Sequence, residues 1–204
     1  MINLRRQRVT RAILTAMAAA ALSLSAVADD LTPPWYRGLP DTTFQHWQFY
    51  TPSQHPEVFW NPYGEPFISD VSSASVWFPE FEGRRGVWCI APDTFMEFTI
   101  PNVVDYNHEK EYRFQLTYFG APGDVGPLGD PYDFGYIDMG DGWTHFRADY
   151  RFPFCDWTKA YVVAGGRPLY IDQLVVDSWC VPEPGTMAAI AAGLGALALR
   201  RRKK

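Results

Sequence analysis

Two stretches of the chain alternate large apolar and polar residues without a break. In EYRFQLTY (111–118), Tyr112, Phe114, Leu116 and Tyr118 share one side, and Glu111, Arg113, Gln115 and Thr117 the other. In THFRADYRF (144–152), Phe146, Ala148, Tyr150 and Phe152 point inward, while His145, Arg147, Asp149 and Arg151 are expected to meet water. A period of two sends successive side chains to opposite faces of a strand. A helix would scatter the same rings around its axis. MEFTI (96–100) repeats the pattern with Met96, Phe98 and Ile100. Further strands are expected at 43–50, 74–78, 86–91, 134–138, 159–164 and 169–179, and none shows a sustained helical period. Met139-Gly140-Asp141-Gly142 is expected to close a hairpin. Eight or nine short strands with one-sided apolar faces predict an all-β fold, an antiparallel β-sandwich or jelly roll, over residues 29–180. Residues 29–40 read as an irregular lead-in.

The charge distribution limits the partners. Residues 29–180 carry nine basic and 22 acidic side chains, a net charge near −13, which the whole-chain value of −5 conceals. Such a surface repels nucleic acid, because phosphate binding requires Lys and Arg to displace counterions. All eight Trp lie within this span, and a middle so rich in rings buries a core.

The two ends differ from the middle. MINLRRQRVTR is a positive leader, AILTAMAAAALSLSAVA an apolar run, and Ala26-Val27-Ala28 a small-x-small cleavage site, so residues 1–28 are expected to be a signal peptide with a helical core. Arg5-Arg6 stand in a poor context for the twin-arginine route, and general secretion is the better fit. Met187–Leu199 is an unbroken apolar and glycine run of 13 residues. As a helix it spans roughly 20 Å, short of the hydrocarbon core of about 30 Å. The long side chains of Arg200 to Lys204 make up part of the deficit by snorkelling, and on the cytoplasmic side they place residues 29–180 outside. A C-terminal transmembrane helix that grips lipid weakly, held briefly and then cut, is the expectation for 181–204.

Pro182-Glu183-Pro184, then an apolar run, then a basic cluster, resembles the PEP-CTERM sorting signal of Gram-negative bacteria. The resemblance implies processing by exosortase, a membrane transpeptidase, and delivery to the cell envelope or an extracellular matrix of exopolysaccharide. PPWYRGLPDTTFQHWQF, NPYGEP, GVW (86–88) and YIDQLVVDSWCVPEP resemble PEP-CTERM proteins of planctomycete-like bacteria. The YID-x-x-V stretch from Tyr170 also looks like the last strand of jelly-roll carbohydrate-binding modules, which implies that Asp172 lies where such modules ligate a structural calcium.

Three candidate sites remain. An exported chain meets an oxidising compartment, so one disulfide is expected among Cys89, Cys155 and Cys180. Three pairings are possible. Cys155–Cys180 is favoured because both fall near strand ends, and Cys89, mid-strand, then remains as a buried thiol. Residues 122–142 carry Asp124, Asp130, Asp133, Asp138 and Asp141. With Asp130, Asp133 and Asp138 foremost, they supply the hard oxygens that Ca2+ prefers, although Asp and Gly are also ordinary turn residues. Trp35, Tyr36, Trp47, Trp60 and Tyr63 lie in or beside loop-like stretches. Exposed, such rings stack on the C–H face of a sugar and define a glycan-binding site; otherwise they belong to the core. No pair of acids stands out for glycoside hydrolysis, and Glu97 and Glu111 read as the wet faces of their strands, so no catalytic activity is expected.

Overall fold

The computed structural model describes residues 29–181. The expected signal helix with Ala26 and Ala28, and the sorting segment with Pro182, Glu183, Pro184 and its apolar span, lie outside them. The described residues form β1 (Thr42–Trp47), β2 (Val58–Trp60), β3 (Phe67–Val71), β4 (Val76–Phe81), β5 (Arg84–Ile90), β6 (Phe95–Ile100), β7 (Glu109–Phe119), β8 (Pro122–Pro127), β9 (Asp133–Gly140), β10 (Trp143–Phe152), β11 (Thr158–Ala164) and β12 (Leu169–Val181). All pairings are antiparallel, in the all-β sandwich that the alternation predicts.

One sheet runs β2-β1-β12-β7-β10-β9, and β5, paired with β4, joins the start of β12. The second sheet runs β3-β6-β11-β8. Facing rows from the two sheets make the core: Tyr112, Phe114, Leu116, Ala148, Leu174 and Val176 from the first, and Ile68, Met96, Phe98, Ile100 and Val162 from the second. Among them, Tyr112, Phe114, Leu116, Ala148, Met96, Phe98 and Ile100 are residues that the period of two aims inward. The hairpin expected at 139–142 is present: Gly140 pairs with Trp143, and Asp141 and Gly142 take positive φ values of 51° and 85°. Both central residues in the left-handed region give the turn whose twist matches the strands.

The other face of the first sheet is not the wet surface expected from its polar residues. Gln115, Thr117, His145 and Asp149 are buried. At one end, residues 31–40 lie across this face. Thr32 donates to Gln115 Oε1 through both its amide (3.1 Å) and its hydroxyl (2.8 Å), and accepts from Arg113 Nη1 at its carbonyl (2.7 Å). Arg37 makes a two-pronged ion pair with Asp177 (2.6 and 2.7 Å) and stacks 4.2 Å above the Phe44 ring. At the other end the β4–β5 hairpin folds over. Phe81 stacks on Tyr170 at 3.9 Å, Trp143 donates to the Glu82 carbonyl, and Arg84 pairs with Asp172. The lead-in is therefore a strap, and the polar row beneath it survives burial because its members bond one another or the strap. Arg113 and Asp149 form a second two-pronged pair (2.6 and 2.8 Å) in this row, and Thr117 bonds His145 Nδ1 at 3.0 Å.

Candidate functional site

The strap carries rings to the outer face. Tyr36 stacks on Trp179 with centroids 5.7 Å apart, and Trp35 meets the same indole edge-on at 5.1 Å. Tyr36 is buried, and its hydroxyl titrates far above the usual tyrosine range because of that burial, reinforced by the charge of Asp177. Trp35 is 77% exposed. Beside this cluster, the turn entering β1 and the segment leaving β2 enclose a cleft of about 550 Å³, lined by Pro40, Asp41, Thr42, Trp60, Pro62 and Tyr63.

Register explains the arrangement. Trp60 of β2 lies opposite Phe44 of β1, and Thr42 of β1 lies opposite Trp179 of β12. The Trp35–Trp179 pair and Trp60 are thus two strand spacings and two residues of β1 apart, about 12 Å. Trp60 is 65% exposed. Tyr63 is half-buried; its hydroxyl donates to Asp41 Oδ1 at 3.2 Å, and its amide donates to Asn61 Oδ1 at 3.0 Å. Burial, then the Asp41 charge and bond, raises the Tyr63 pKa, so this phenol stays a donor. Asp41 takes φ 61° at the turn into β1, beside the ring it accepts from. Exposed indole faces next to a carboxylate and a phenol can stack on a sugar's C–H face and bond its hydroxyls.

Of the five rings considered for glycan binding, the structure brings Trp60 and Tyr63 into one cleft, leaves Trp35 exposed nearby and buries Tyr36. Trp47 is different. It is fully buried, packs edge-on against Phe98 at 5.1 Å, and donates its indole N–H to the Gln54 carbonyl at 3.3 Å. The alternation of β1 sends Thr43, Gln45 and Trp47 inward together, so Trp47 is core and not a surface ring. Trp179, which holds the Trp35–Tyr36 cluster, was missed as a site residue; its place at the end of an alternating strand carried no sign of what would pack on it.

The acids expected to hold calcium are not gathered. Asp130 lies in the turn between β8 and β9. Asp133 pairs with Arg147 at 2.5 Å, and Asp138 accepts from the Gly140 amide at 2.9 Å. Asp172 is buried on β12, bonded to Arg84 (2.6 Å) and Gln173 (3.2 Å). Since β12 and β9 are separated by β7 and β10, Asp172 stands at least about 14 Å from the β9 acids, and farther from Asp133, which is level with Asp177. Among the described residues no three His, Cys, Asp or Glu side chains converge on a metal position.

Cys155 and Cys180 form the expected disulfide, with Cα atoms 5.8 Å apart. Cys89 is the free thiol, partly exposed, and burial pushes its pKa up. Glu97 and Glu111 are bonded to Lys159 (2.8 Å) and Arg151 (2.5 Å).

The architecture defines an antiparallel β-sandwich with one outer face strapped over. Residues 181–203 match the family model of the PEP-CTERM protein-sorting motif. The motif implies an exported protein, processed by exosortase and sorted toward the cell envelope. No curated protein and no solved structure matches the chain.

Proposed function

We propose that this is a non-catalytic β-sandwich protein, exported through a signal peptide at 1–28 and retained at the cell envelope or in an extracellular matrix. The apolar run 187–199, with Arg200 to Lys204 on the cytoplasmic side, holds it in the membrane until exosortase cuts near Pro182-Glu183-Pro184. The sorting motif at 181–203 carries this reading. The engagement of Glu97 and Glu111 in ion pairs supports the non-catalytic part. Mass spectrometry of the mature protein tests the processing step. A new C-terminus upstream of the basic cluster is expected, and an intact RRRKK end on most molecules refutes it.

A second reading concerns what retains the domain once it is released. The cleft of Trp60 and Tyr63, with Trp35 nearby, favours stacking on a neutral polysaccharide. Between the calcium-dependent and aromatic-platform forms of this binding, the scatter of the acids favours the aromatic one. Glycan-array binding is expected to fall in Trp35→Ala and Trp60→Ala and to persist in EDTA. Binding that survives both substitutions removes this site.

A further inference from the structure

At the end of the core, where β7 and β11 begin, lies a second cleft of about 220 Å³. Its walls include Leu128, Phe152, Trp157, Tyr161 and Lys110. Lys110 stands opposite Phe152 on β10 and Cys180 on β12, in the inward row that continues through Tyr112 and Phe114. A lysine at an inward position is 1% exposed here, among rings and beside the disulfide. Its Nζ donates to the Asp156 carbonyl and to Thr158 Oγ1, and both residues belong to the same wall. Neither acceptor carries a charge, and a charged lysine has three N–H groups to place. Two bonds to uncharged acceptors leave this nitrogen without a full ammonium shell, in a residue that lines the cleft.

The surroundings set the protonation of this amine. Its titratable or charged neighbours are Asp156 ahead of β11, Lys159 and Tyr161 on β11, and Tyr112 on its own strand. Burial dominates and lowers the Lys110 pKa to about 7, with the Asp156 charge opposing. Lys159, on the same cleft, is the contrast. It is exposed and paired with Glu97, which raises its pKa and keeps it an ammonium. Trp157 (54% exposed) and Leu128 (77% exposed) form the open side.

We propose that this cleft captures a small aldehyde with a flat, apolar body, which Lys110 holds as an imine. The lone pair of the neutral amine attacks the carbonyl carbon, and the π electrons of the C=O bond pass to oxygen. A proton moves from nitrogen to that oxygen, giving a carbinolamine. The hydroxyl then departs as water, taking the proton that remains on nitrogen, and the C=N bond forms. No oxidant or reductant is consumed. The rings of Phe152, Trp157 and Tyr161 hold the apolar body, and a domain of net charge near −13 favours a neutral ligand over an anionic one.

The test uses the full chain in detergent, incubated with benzaldehyde or with glycolaldehyde in the presence of cyanoborohydride, which traps an imine as a stable secondary amine. Peptide mass spectrometry then compares the chain's lysines, Lys110, Lys159, Lys203 and Lys204. Benzaldehyde at pH 7 is expected to label Lys110 about tenfold or more above Lys159, with at least a tenfold fall at pH 5 as the amine protonates. Trp157→Ala, an exposed change, should cut labelling of Lys110 several-fold and leave Lys159 unchanged. Equal labelling of the two lysines, or labelling of Lys110 only in urea, overturns the proposal and leaves Lys110 as a structural tie. Labelling of Lys110 by glycolaldehyde as strong as by benzaldehyde overturns the flat-ligand part.

Discussion

Removing the disulfide measures how much of the fold rests on one covalent link. Cys155 and Cys180 are 25 residues apart and join the loop after β10 to the last strand. Closing a loop of that length removes about 12 cal/mol/K from the unfolded chain in the chain-entropy model, or about 3.5 kcal/mol at 25 °C. The native state already fits the bridge, because the Cα separation of 5.8 Å lies within the range disulfides take without backbone movement. The Cys155 backbone is also held independently, by two hydrogen bonds of 2.9 Å with Asp105, so the loop does not depend on sulfur alone. The perturbation is therefore Cys155→Ala with Cys180→Ala, followed by urea denaturation. With a urea slope of about 2 kcal/mol/M, the midpoint should fall by roughly 1.7 M. Reductant should lower the wild-type midpoint by a similar amount and leave the double variant unchanged. Cys89→Ala, at the free and partly exposed thiol, should cost no more than about 0.5 kcal/mol. A double variant within about 1 kcal/mol of wild type would refute the loop-entropy reasoning.

Four further outcomes are expected. Trp47→Ala leaves a large void against Phe98 and should cost about 3–5 kcal/mol in the same assay. Gly86→Ala would set a Cβ 2.0 Å from the Phe49 carbonyl oxygen at a φ of +72°, so it should destabilise by at least about 2 kcal/mol, and a neutral result would contradict the close approach of β5 to residue 49. Arg37→Ala takes the bidentate partner from the buried Asp177 and should cost about 3 kcal/mol, with faster amide exchange over residues 31–40 as its local signature. Lys110 titrates near pH 7 when folded against the ordinary 10.5, so between those values the unfolded chain holds a proton that the folded chain lacks. Stability should rise from pH 7 to about pH 9.5 by up to a few kcal/mol, and Lys110→Met should abolish the rise. At higher pH the sign reverses, because the buried hydroxyls of Tyr36 and Tyr112 keep protons that the unfolded chain gives up.

The strands were legible wherever one face alternated against a core. β6, β7 and β10 could be located from period alone, and so could the Asp141-Gly142 turn, because both rest on local stereochemistry. Three strands were not. β2 is only Val58–Trp60, β3 is interrupted by a shift between Ile68 and Asp70, and β8 has the sequence PGDVGP, which reads as turn residues because proline and glycine pair poorly in most sheets. The fate of the second face was hidden for a different reason. Alternation states that Gln115 and Asp149 point away from the rings; it is silent on whether residues 31–40 will lie on top of them. The same limit explains Trp47 and Trp60, both written in ring-rich, turn-flanked sequence. One sits at an inward step of β1 and the other on the outward row of β2. The Cys155–Cys180 link was foreseeable from strand ends, whereas the Lys110 cleft was not, since a lysine in EKEYRF looks like one more solvated charge.

The route by which a pull would enter this domain follows from the position of β12. The strand ends at Val181, where the sorting motif begins, and it runs along the middle of its sheet. It is paired through 11 residues with β7 on one side and through six with β1 on the other. Force drawn from residue 181 along the strand axis loads both ladders in shear, so many hydrogen bonds share it at once and no single pair opens first. The Cys180 sulfur shunts part of that load into the loop after β10. A tether made this way resists tearing far better than one peeled from an edge strand such as β9.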